Sequence, residues 1–133
     1  MYLDRLLNQG SAPVLEKWLQ FTDARQRVLG EDIVNVTTPD YIQKDLSLDK
    51  FQSMLSEKVQ EEQHAPPGSV NFDEISSEVE EPQNGLLFHD GNNRSMEQLM
   101  TDQAKNALMH TLAVELLRQQ YSAMQLALKE RVS

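Results

Sequence analysis

From Ser95 to Arg131 apolar and polar side chains recur at helical spacing, with no glycine or proline among them. In heptad register the seam positions are Met96, Met100, Gln103, Ala107, His110, Val114, Leu117, Tyr121, Met124 and Leu128. Steps of four and three alternate without a slip, and eight of the ten residues are apolar or aromatic, which predicts a coiled-coil seam. Leu99, Leu108, Leu112 and Leu116 widen the stripe, so the helix is expected to meet more than one neighbour. Ser95 and Gln98 have the spacing of a capping box, and Glu97 suits the positive end of the helix dipole. A rod of about 36 residues spans roughly 54 Å. The rest of the chain is too short to cover it, so the seam is expected to be completed by other subunits.

Upstream, residues 2–9 predict a short helix with Tyr2, Leu3, Leu6 and Leu7 on one side and Gly10 as its stop. Ser11 and Pro13 then open a second helix that runs to about Val36. Its apolar face is Leu15, Trp18, Leu19, Leu29 and Ile33, and Gly30 leaves room for close approach of another backbone. Thr37-Thr38-Pro39-Asp40-Tyr41 ends it in a turn. A shorter helix is expected from Ser47, as cap, to about Glu62. Residues 63–94 hold Pro66-Pro67-Gly68, Pro82 and Asn84-Gly85, with the acidic run Asp73, Glu74, Glu78, Glu80 and Glu81. They read as a linker in which Val70, Phe72 and Leu86-Leu87-Phe88 are candidates for short extended pieces. The chain thus divides into 1–41, 42–62, 63–94 and 95–133. The expected fold class is mainly α: long N- and C-terminal helices pairing as an antiparallel hairpin or coiled coil, with an acidic, largely irregular middle.

Charge sharpens this division. Of the net −9, about −7 falls within 57–94, whereas 95–133 is neutral. No basic patch is present to neutralise phosphates, which argues against nucleic acid as a partner. Cysteine is absent, which removes thiol catalysis and cysteine–metal sites. His64, His89 and His110 share no metal-ligand spacing, and Asp90-Gly91-Asn92 fails as a calcium loop, with Arg94 at the fifth position and Thr101 at the twelfth. No nucleophile elbow, phosphate-cradling loop or paired carboxylate is recognisable. The expectation is a non-enzymatic chain without cofactor, small-molecule substrate or membrane-spanning segment, and without a cleaved signal peptide.

Two stretches carry more than pattern. Arg27 to Tyr41, with Asn35, Thr38, Pro39 and Tyr41 at the key positions, resembles the N-terminal signature of bacterial flagellar axial proteins. Asp90-Gly91-Asn92-Asn93, followed by Met100 to Asn106, is similar to the start of the C-terminal helix in the proximal-rod, FlgB-type member, with the FlgC type as the near alternative. Asp32 stands where that family usually has Asn, and Asp40 where it often has Gly. The resemblance implies a structural subunit of the basal-body rod, exported by the flagellar type III route and assembled in the periplasm. Its implied partners are copies of itself, other rod proteins, the adaptor at the rod base and the inner-membrane ring protein. The expected assembly seam is Met100, Ala107, Val114, Leu117, Tyr121, Met124 and Leu128. The competing expectation from another class is a soluble helical-bundle adaptor or regulator.

Overall fold

The computed structural model describes residues 12–65, 73–80 and 85–132. The short helix expected over 2–9, the Ser11 cap, Val70, Phe72 and Glu81 lie outside these residues. The chain is mainly helical: 77% of the described residues fall in four helices, the last of them long. In chain order the elements are α1 (Ala12–Val34), β1 (Gln43–Leu46), α2 (Leu48–His64), α3 (Asp73–Glu80), β2 (Leu87–Asp90) and α4 (Met96–Val132).

Helix α1 opens with Pro13 in its first turn, where a missing N–H costs nothing. It closes at Val34 because Asn35 turns its side-chain amide back onto the Glu31 carbonyl at 2.9 Å. Ser47 caps α2 by accepting the Lys50 N–H. The capping box of α4 is formed in both directions: Ser95 Oγ accepts the Gln98 N–H, and Gln98 Oε1 accepts the Ser95 N–H.

The middle of the chain departs from the sequence expectation in two places. Residues 43–46 are a strand, paired antiparallel with β2 in the register Gln43 to Asp90 and Leu46 to Leu87. The apolar period that marks a half-buried strand is missing here, because two of its three buried side chains, Gln43 and Asp45, are polar and only Leu46 is apolar. The acidic run holds helix α3 instead of loop. Ile75 and Val79, four residues apart, are buried beneath it, and Asp73 and Glu74 sit at its first turn. The extended piece expected at Leu86-Leu87-Phe88 is the start of β2 and its approach.

One core joins these elements. Val14, Leu15, Trp18, Phe21 and Ala24 of α1 meet Leu46, Phe51 and Leu55, then Ile75, Val79 and Leu86, and finally Ala113 and Leu116 of α4. Its centre is aromatic: Phe21 and Phe51 stack with centroids 4.2 Å apart, and Trp18 stands edge-on to Phe51 at 5.1 Å. Helices α1 and α4 lie along each other. Glu16 accepts from the Tyr121 hydroxyl, Thr22 Oγ1 is 2.8 Å from His110 Nδ1, and Gln26 accepts from Asn106. The close backbone approach expected at Gly30 is not found, since a Cβ there meets only Gln103 Nε2 at 3.9 Å, ordinary contact.

Candidate assembly surface and its clasp

The chain covers the apolar stripe of α4 over only part of its length. Leu99, Asn106, Ala113 and Leu116 are buried along it, with Gln103, His110 and Leu117 half-buried beside them. One heptad beyond Leu117 stands Met124, on the same line and 56% exposed, and Tyr121, 44%, and Leu128, 59%, are open with it. Met100, 57% exposed, and Ala107, also exposed, stand at the edge of the stripe, and Val114 is half-buried. The expected seam therefore follows the covered stripe as far as Leu117 and runs on uncovered beyond it. Leu108, Leu112 and Leu126 add a further exposed apolar line. Helix period reveals such a stripe but not which half of it the chain uses.

The polar donors of the covered stripe are matched across the α1–α4 contact, while Asn106 Oδ1 has no hydrogen-bond partner among the described residues. Asn106 is fully buried and gives its amide to the Thr22 carbonyl and to Gln26 Oε1, both at 2.8 Å. Thr22 directs its hydroxyl at the Trp18 carbonyl at 2.9 Å. The same oxygen lies 2.8 Å from His110 Nδ1, a pairing that either tautomer of the imidazole satisfies. A buried Asn in such a seam discriminates between registers, because every other register leaves it unpaired. Of the expected α1 face, Leu15, Trp18 and Leu29 are buried, while Leu19 and Ile33 are half-buried.

The two stretches that carry the family resemblance meet in space. Thr38 to Tyr41 form a turn closed by the Tyr41 N–H on the Thr38 carbonyl at 3.3 Å. Pro39 at its second position and φ 62° for Asp40 at its third give it type II character. Thr38 donates its hydroxyl to Asn35 Oδ1. Tyr41 then donates to Asp32 Oδ1 at 3.2 Å, while its carbonyl accepts from Asn93. Gln43 holds both backbone groups of Arg94, accepting its N–H and donating to its carbonyl at 2.8 Å each. Gly91 and Asn92 are exposed at the bend, and Asp90 closes β2.

At the centre of this clasp stands Arg94. Its guanidinium is 2.7 Å from Asp102, 3.2 Å from Asp45 and 3.7 Å from Asp32. Arg25 of α1 forks onto Asp45 with contacts of 2.9 and 3.1 Å. The clasp thereby ties α1, β1 and the entry to α4 into one unit. Gln43 and Asp45 were not among the residues singled out from the sequence; Asn93 was, in the lead-in to α4, whereas Arg94 entered only as a residue unfit for a calcium loop. A buried polar residue carries no periodic mark, and only the density of polar side chains in Asp90 to Arg94 hinted at a built turn.

Among the described residues no group of three or more His, Asp or Glu is placed to hold a metal ion, and no helix is long and apolar enough to cross a membrane. A cleft of about 370 Å³ between α2 and α3 is lined by Lys50, Lys58, Glu74 and Glu78 over Met54 and Ile75. Lys58 is taken up by Glu74 at 3.0 Å and Glu61 at 3.6 Å. Comparison with protein-family models, curated proteins and solved structures returned no match.

Proposed function

We propose that the chain is a non-enzymatic structural subunit of a bacterial flagellar proximal rod, working through helix packing and helping to carry torque. The supporting observation is the uncovered part of the apolar stripe of α4, where Met100, Tyr121, Met124 and Leu128 are exposed along a helix of 37 residues. Exposed apolar area of this extent favours a protein partner. The meeting of the two signature stretches at the clasp adds support. In this reading α1 and α4 form an antiparallel hairpin, and neighbouring copies complete its coiled-coil seam. Contacts of this heterologous kind repeat without closing and so build filaments. Adjacent rod proteins, the rod-base adaptor and the membrane-ring protein supply the ends. In this reading export follows the flagellar type III route and assembly is periplasmic.

The test uses Met100→Glu and Met124→Glu. Both side chains are exposed, so the monomer should keep its circular dichroism and its cellular level. Each variant should abolish incorporation into purified basal bodies and stop motility. Swimming cells would refute the assembly surface. A wild-type protein found only in the soluble fraction, away from basal bodies, would favour the adaptor reading.

A further inference from the structure

Asp32 is 0% exposed on the last turn of α1. Its Oδ1 accepts the Lys44 N–H at 3.0 Å and the Tyr41 hydroxyl at 3.2 Å. Its Oδ2 has no hydrogen-bond donor, and Arg94 Nη2 stands 3.7 Å away. The charged groups around it come from every element of the clasp: Glu31 and Arg25 from α1, Lys44 and Asp45 from β1, and Arg94 and Asp102 from the α4 side. They pair off. Lys44 meets Glu31 at 3.1 Å, Arg25 meets Asp45 at 2.9 Å, and Arg94 meets Asp102 at 2.7 Å. Among the described residues three cations face three other carboxylates, so an ionised Asp32 is the surplus negative charge, on a side chain that is itself fully buried. Buried charge without a full set of partners is strongly disfavoured.

We propose that Asp32 is a proton-binding site that couples closure of the clasp to pH, the clasp being tightest when this carboxyl is uncharged. A proton on Oδ2 leaves both hydrogen bonds to Oδ1 in place and gives up only the 3.7 Å attraction to Arg94. Burial pushes Asp32 above the usual carboxylate range and Asp45 adds to this, against the Lys44 amide, the Tyr41 hydroxyl and Arg94. With the native value raised, the stabilisation from this group is complete below the ordinary aspartate value of about 3.9. It is lost as pH rises through the native value. Folding therefore takes up a proton in that window. Asparagine keeps the acceptor and removes the charge, so it imitates the closed form at every pH.

The test needs only the purified full chain and does not depend on the rod reading. Carboxyl carbons of labelled aspartate are followed by NMR between pH 3 and 8, and chemical denaturation is run over the same range on wild type and Asp32→Asn. The Asp32 carboxyl should titrate above the other aspartates. The wild-type unfolding constant should rise relative to that of Asp32→Asn, by about tenfold per pH unit separating native and unfolded values. An Asp32 resonance titrating at or below about 3.9 would overturn the proposal. So would an Asp32→Asn protein destabilised by the same factor at every pH. Should the variant not fold, the wild-type titration decides alone.

Discussion

Asp40 and Gly30 each occupy a backbone site that suits the other better. Asp40 holds φ 62° in the third position of its turn, where glycine is relaxed and a side chain is strained. Gly30 lies inside α1, where glycine gives up the most conformational freedom, and a Cβ would meet nothing closer than 3.9 Å. The double exchange Asp40→Gly with Gly30→Ala should therefore stabilise the chain by about 1–2 kcal/mol. Urea denaturation measures this directly, and a destabilised double variant would show that one of the two sites is held by something other than backbone preference. The Asp40 strain was legible in the sequence from the Thr38-Pro39-Asp40-Tyr41 run. The space beside Gly30 was not, because it depends on where Gln103 falls.

Among the elements, α4 was the most legible. Its length, its Ser95–Gln98 capping box and its long apolar stripe all follow from spacing, since period and caps are local properties. Strand β1 and helix α3 were hidden for a shared reason. Gln43 and Asp45 are buried polar residues that look like surface, and the carboxylates of 73–80 mask an i, i+4 apolar pair, Ile75 and Val79. The clasp was invisible because its bonds join residues about fifty positions apart, as between Gln43 and Arg94. The α1–α4 contact gives the prediction that belongs at this scale. Asn106→Ala removes the bonds to Thr22 and Gln26 from a fully buried site, and should lower stability by about 1–3 kcal/mol. The loss should appear as a lower denaturation midpoint with an unchanged slope.

For the molecule as a whole, two opposing forces act between copies. The net charge of −9, concentrated in 57–94, keeps copies apart, while in the proposed rod the uncovered apolar stripe of α4 is what draws them together. The first is screened by salt, with a Debye length of about 10 Å at 0.1 M, and the second is not. Self-association should accordingly grow as salt is raised from about 0.02 to about 0.5 M. Sedimentation velocity reads this as a shift to larger species, which Met100→Glu should suppress. Association that weakens with salt would point to ionic contacts in place of the apolar face.

The pairing of β1 with β2 has a consequence for how such a chain can grow. It pinches off everything from Ser47 to Leu86 at the base, with the Ser47 N–H on the Leu86 carbonyl at 2.7 Å as the final stitch. Extra sequence grafted between α2 and α3 would lengthen a loop whose neck is already tied. The entropic penalty then rises only with the logarithm of the added length. The contact between α1 and α4 stays unaltered while the excursion between them acquires new modules.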